Sequence, residues 1–214
     1  MAAQLDYHTI TRIFTRFQAA EPEPTGELHH TNAYTLLVAV VLSAQATDVG
    51  VNKATAGLFA VADSPAAMLA LGEAAVTEHI RTIGLYRTKA RHVIALSAIL
   101  QRDHGGEVPS SRAALQSLPG VGRKTANVVL NIWWGQPAQA VDTHIFRVGN
   151  RTGIAPGRDV DAVERSLEDH VPAPYQRHAH HWLILHGRYI CVARQPRCTG
   201  CLISDLCQYE DKTP

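Results

Sequence analysis

The sequence predicts an all-α protein with short loops. Three observations carry that class. Apolar residues recur at helical spacing in nearly every stretch of the chain. Most of those stretches open on a Ser, Thr, Asp or Asn and close on Gly or Pro. No convincing alternating strand, internal repeat or low-complexity tract interrupts them. A length of 214 residues leaves room for one large domain or two small ones, with ample core. The most apolar run, Leu36 to Leu42, is far too short to cross a membrane. The N-terminus lacks the basic-then-apolar pattern of a signal peptide, so the expected location is cytoplasmic.

Taken in order, Tyr7, Ile10, Ile13, Phe14 and Phe17 form a helical stripe that Pro22 and Pro24 end. Asn32 to Ser43 is apolar nearly all round, which marks a buried central helix. Thr47-Asp48 caps a helix running to Phe59, and Ser64-Pro65 supplies a cap and first-turn proline for a short helix to Leu71. Another helix is expected from Glu73 to Arg81, ending near Gly84. A longer basic one follows from Arg87 to His104, closed by Gly105 and Gly106. Beyond the hairpin described next, helices are expected over 142–151, 160–170 and 175–191, making around ten in all.

Leu118-Pro119-Gly120-Val121-Gly122-Arg123-Lys124-Thr125-Ala126-Asn127 reads as helix, tight turn, helix. Ser110 or Ser111 caps the short first helix, and Pro119 and Gly120 end it. Glycines at 120 and 122 allow positive φ and a close approach of backbone to a ligand. Arg123 opens the second helix, with Ala126, Val129, Leu130 and Trp133 spaced to face a core. The first N–H groups of a helix lack intrahelical partners and sit at the positive end of its dipole, a ready site for phosphate. Lys124 lies in that first turn. The dipole disfavours a cation there and Arg123 is a like charge beside it, so both favour the neutral, nucleophilic amine. A plain phosphate contact is the competing role. Asp142, ahead of Thr143-His144-Ile145-Phe146-Arg147, reads first as a helix cap, a role compatible with catalysis because capping holds the carboxylate still.

Net charge is only +1, but its distribution is uneven. Twelve of the 20 Lys and Arg residues, and no Asp or Glu, fall in the windows 79–102, 108–141 and 170–204. Assembled together, they would make one positive surface for a polyanion.

The four cysteines crowd the C-terminal end as C-x6-C-x2-C-x5-C: Cys191, Cys198, Cys201 and Cys207. Without a secretory signal this favours metal over disulfides. Spacing alone leaves zinc and an iron–sulfur cluster open. Arg194 and Arg197, in a first loop without acids, are placed to grip phosphates. His180, His181 and His186 lie among Trp182, Leu183, Ile184 and Leu185 with no acid nearby, so packing or phosphate contact is expected of them rather than metal binding.

Leu-Pro-Gly-Val-Gly-Arg-Lys-Thr-Ala, followed by Val141-Asp142-Thr143-His144 and the four-cysteine tail, resembles the endonuclease III family of DNA glycosylases over nearly the whole chain. The resemblance implies a two-lobed helix-hairpin-helix fold with a cleft between the lobes. One lobe is a six-helix barrel, residues 26–135, containing the hairpin at about 112–131. The other is an iron–sulfur domain made of residues 1–25 and 136–214. It implies a [4Fe–4S] cluster on the four cysteines and Lys124 as nucleophile. Asp142 would lie across the cleft as base or charge stabiliser. Gln45 would fill the hole left by a flipped base and Leu85 would wedge the duplex; a plain loop anchor is the other role open to Leu85. Gly120, Gly122, Arg123 and His144 complete the DNA contacts.

The activity implied is base excision repair by a bifunctional DNA N-glycosylase and abasic-site lyase. It would act as a bacterial, nucleoid-associated monomer on oxidised pyrimidines in double-stranded DNA. Monofunctional thymine or adenine mismatch glycosylases share the fold. The adenine enzymes carry a glutamate in the early helix, whereas Leu36 to Gln45 has no acid, and they have a further C-terminal domain, whereas this chain stops just past the cysteines. The thymine enzymes generally lack the lysine. A non-catalytic iron–sulfur DNA-binding module needs neither Lys124 nor Asp142. Trp133-Trp134 departs from the family pattern and bears on lobe spacing and lesion range.

Overall fold

The computed structural model describes residues 2–213. Among them are eleven α-helices, one 3-10 turn and no strand. The chain divides into two compact units, Glu27–Trp134 and Met1–Gly26 with Gly135–Pro214.

The first unit is built on α2 (Ala33–Ser43), whose residues from Tyr34 to Leu42 are all buried. Asn32 starts it with a capping box: its side chain accepts from Thr35 N–H, while the Thr35 hydroxyl receives the Asn32 N–H. Around α2 pack α3 (Asp48–Phe59), α6 (Tyr86–Asp103) and α8 (Arg123–Trp134); α4 (Pro65–Leu71), α5 (Glu73–His79) and α7 (Arg112–Gln116) close the unit. A buried polar pair sits in this core: the Tyr34 and Ser97 hydroxyls are 2.6 Å apart, and Ser97 donates onward to Val93 C=O. A buried hydroxyl left unpaired costs ~1–3 kcal/mol, so the chain of two bonds is what lets Tyr34 stay inside.

The second unit joins α1 (Tyr7–Ala20) to α9 (Thr143–Thr152), α10 (Val160–His170) and α11 (Gln176–Tyr189). Ile10, Ile13, Phe14 and Phe17 of α1 enter one core with Ile145, Val148, Leu167 and Leu183. Phe14 stacks on Tyr175 at 5.9 Å, and Trp182 donates its indole N–H to Glu21 C=O at 2.8 Å. Truncating a side chain so enclosed as Phe14 to alanine should cost ~3–5 kcal/mol. Arg16 reaches from α1 to the C-terminal segment, bonding Leu202 C=O and both Asp205 oxygens.

Four expectations need correction. The helix from Glu73 stops at His79, because Ile80 and Ile83 turn inward and are buried. The last helix opens as a 3-10 turn, Ala173–Tyr175, where Pro174 has no N–H for an α-type bond, and it ends at Tyr189. Trp133 is not in the stripe of α8; it is 43% exposed, edge-on to His30, while Asn127 and Asn131 take the buried positions beside Val129 and Leu130. Tyr7, at the open first turn of α1, is likewise exposed.

Candidate active site

Ser111, not Ser110, caps α7, accepting from Ala114 N–H. Leu118 C=O then receives Val121 N–H at 3.1 Å, closing the turn, and Ala126 N–H donates to Gly122 C=O as α8 begins. Only one of the two glycines has positive φ: Gly120, at 80°. A Cβ at Gly120 would also fall 2.9 Å from His92 Nδ1, so the position excludes other residues twice over, whereas a Cβ at Gly122 would meet open space. Arg123 and Lys124, at the start of α8, are exposed. Lys89, counted in the positive surface from sequence, is not on a surface at all: it is 4% exposed, and burial lowers its pKa.

Gln45 and Leu85 are brought together. Gly84, beside Leu85, lies close enough to Gln45 that a Cβ there would sit 3.8 Å from the Gln45 carbonyl. Both residues are exposed, and both have positive φ, 55° and 58°. It is Leu85 itself that turns left-handed, as the residue that opens α6. Such backbone in a non-glycine residue costs ~1–2 kcal/mol and is kept only where something holds it.

Asp142 caps α9 in the second unit. Its Oδ1 accepts from His144 N–H at 2.8 Å and Ile145 N–H at 2.9 Å, and its Oδ2 lies 3.1 Å from His144 Nδ1. Three contacts fix the carboxylate. Further along α9, Arg147 donates to Cys191 C=O and Gly187 C=O, and Arg151 donates to Val192 C=O and Ala193 C=O. At Gly187 a Cβ would fall 2.9 Å from His144 Cβ, so a side chain there would push α11 off the first turn of α9.

Cys191, Cys198, Cys201 and Cys207 line a single pocket, with His186 and Arg197 also in its wall. Burial first, then repulsion from the neighbouring thiolates, raises the Cys201 and Cys207 thiols above their ordinary value. Among the described residues no three His, Cys, Asp or Glu side chains are close enough to hold one metal ion. Arg194 and Arg197 are exposed on the loop between the first two cysteines. His181 and His186 are buried, and desolvation pushes both down to about 4, as packing residues rather than surface cations. Sequence reasoning did not single out Arg151, Tyr209 or His92, which reach these sites from other segments and carry no local motif.

A family model described as HhH-GPD superfamily base excision DNA repair protein matches residues 38–173. Endonuclease III of Escherichia coli (strain K12) is 59% identical over 200 residues, covering 94% of this chain and 95% of that relative. Endonuclease III of Treponema pallidum (strain Nichols) is 58% identical over 203 residues, covering 95% and 96%. A solved structure of a trapped endonuclease III–DNA covalent intermediate, the estranged-adenine complex, matches with a TM-score of 0.88 at 43% identity, over 96% of this chain and 97% of that one. A hairpin, a helix-capping aspartate and a four-cysteine pocket on a fold shared at this level place the chain in the endonuclease III family of the HhH-GPD superfamily of base excision DNA repair proteins.

Proposed function

We propose that this chain is a bifunctional DNA N-glycosylase and abasic-site lyase that removes oxidised pyrimidines from duplex DNA and nicks the strand by β-elimination. The observation that carries the reading is Lys124, an exposed amine in the first turn of α8, in a chain so similar to endonuclease III. On this reading Glu27–Trp134 is the six-helix barrel carrying the hairpin, and the other unit is the iron–sulfur domain. The protein works as a cytoplasmic monomer.

The hairpin backbone at Gly120 and Gly122, with Arg123, His144, Arg194 and Arg197, holds phosphates. Leu85 wedges the duplex and Gln45 fills the space left by the flipped nucleotide. The neutral Lys124 amine attacks C1′ of the damaged nucleotide, and the N-glycosidic electrons leave with the base. Asp142 stabilises positive charge developing on the sugar and helps deprotonate the amine. Proton loss from the new C1′–N bond and breaking of the C1′–O4′ bond give an imine that acidifies the C2′ proton; loss of that proton expels the 3′ phosphate, and water then hydrolyses the conjugated imine, freeing Lys124 and leaving an unsaturated aldehyde and a 5′ phosphate.

The four thiols fit a [4Fe–4S] cluster. They share one pocket and repel one another as thiolates, so a cationic centre among them relieves that repulsion. When bound, the cluster supplies a four-point covalent anchor and a one-electron couple.

Borohydride tests the mechanism. Reduction of the imine should trap wild-type protein on lesion-bearing duplex. Lys124→Gln should abolish trapping and cleavage but keep duplex binding. Asp142→Asn should keep the helix cap and lose most turnover. Covalent trapping by Lys124→Gln would overturn the assignment.

A further inference from the structure

The thiols of the cysteine pocket have distinct neighbours. Arg151 Nη1 lies 3.7 Å from Cys191 Sγ. Its guanidinium is held there by Val192 C=O at 2.8 Å and Ala193 C=O at 2.7 Å, with its face 4.5 Å from the centre of the Tyr209 ring. His186 Nε2 lies 3.8 Å from Cys201 Sγ, and its ring packs against Phe17 at 5.3 Å. The Tyr209 N–H points at Cys207 Sγ from 3.4 Å. Three sulfurs thus each face a nitrogen, from α9, α11 and the C-terminal segment respectively.

We infer that Arg151, His186 and the Tyr209 amide form a hydrogen-bonding collar that sets the one-electron potential of the cluster on these cysteines. The inference rests on the cofactor reading above. Hydrogen bonds to cluster sulfurs and nearby charge are the levers by which a protein moves such a potential. An N–H aimed at a thiolate stabilises negative charge on it, more so when the donor is a cation. The reduced state carries one more electron than the oxidised state, so the collar favours it and raises the potential. Arg151 contributes most, because it brings a full charge and is locked by three other contacts. His186 contributes through Nε2, which faces Cys201 Sγ from 3.8 Å. The collar acts on the cluster's electron, and no step of base removal passes through it.

The test uses intact, cluster-loaded protein. Iron and acid-labile sulfide are measured first, then the cluster is titrated against mediator dyes that exchange one electron with it. Arg151→Met keeps an unbranched stem and removes charge and donors. At the potential where wild-type protein is half oxidised, its ratio of oxidised to reduced cluster should be about ten times higher, a lowering of about 59 mV for a one-electron couple. His186→Phe keeps a flat ring against Phe17 and should shift the same way by less. Arg151→Lys keeps the charge and should fall between wild type and Arg151→Met. If Arg151→Met loads no cluster, Arg151→Lys and His186→Phe carry the comparison. Fully loaded variants at the wild-type potential would overturn the inference. Zinc without iron in the wild-type protein would instead overturn the cofactor reading, and the metal analysis shows this before any titration.

Discussion

Gln45 and Leu85 are the two non-glycine residues with positive φ among those described. They belong to different loops that touch at Gly84. A leucine 60% exposed in left-handed backbone contributes little to folding. Burial does not offset its ~1–2 kcal/mol of backbone strain. Leu85→Gly separates the two roles. Glycine relieves the strain but frees the unfolded chain by ~0.5–1 kcal/mol, so the melting temperature should hardly move. Turnover on a lesion in paired duplex should fall by about tenfold or more, because unstacking costs a few kcal/mol. Turnover on an unpaired lesion should fall far less. Equal losses on both substrates, or a large drop in stability, would make Leu85 a loop anchor instead. Leu85 was singled out in the sequence only through the family resemblance of Ile83-Gly84-Leu85-Tyr86. Its backbone was not: nothing in a leucine signals the left-handed φ of 58° that it adopts.

At the scale of elements, helix starts were legible because caps act locally: Asn32, Thr47, Ser64, Ser111 and Asp142 each bond a backbone N–H two or three residues on. What a helix faces is a tertiary matter, and there the pattern misled at Trp133 and Lys89. Helix α11 shows the consequence for pH. Burial, then the charge of His178, pushes His181 down to about 4 from 6.5. A histidine depressed in the folded state takes up its proton later than in the unfolded chain. Its contribution is therefore complete above pH 6.5, shrinks as pH falls through 6.5, and is exhausted near pH 4. One such group should cost about 2 kcal/mol between pH 7 and pH 5. Urea unfolding at the two pH values should show that loss in wild-type protein and a smaller one in His181→Leu. Equal stability of the wild type at both values would mean that His181 titrates freely.

For the whole molecule, sequence alone did not show which segments fold together. Residue 5 bonds residue 153, and residue 208 bonds residue 152, through backbone groups that carry no side-chain signature. The same distance hides the collar: residues 151, 186 and 209 meet only once α9, α11 and the C-terminal segment are in place. On the cofactor reading, these contacts predict where loss of the cluster is felt. From residue 190 to 213 the chain has no helix, and its shape depends on turns such as Arg197 N–H to Ile190 C=O, on Arg151, and on the Arg16–Asp205 pair. The segment places few large apolar side chains in the core, Ile203 being the one fully buried. Without four covalent anchors it has little to offset its chain entropy of ~1–2 kcal/mol per residue. The unit Glu27–Trp134 contains no cysteine and folds around α2. Hydrogen exchange after iron chelation should therefore show protection lost over residues 190–213 and reduced at the end of α9, with α2, α6 and α8 unchanged. Loss of protection throughout Glu27–Trp134 would mean that the metal holds the entire chain, not one segment of it.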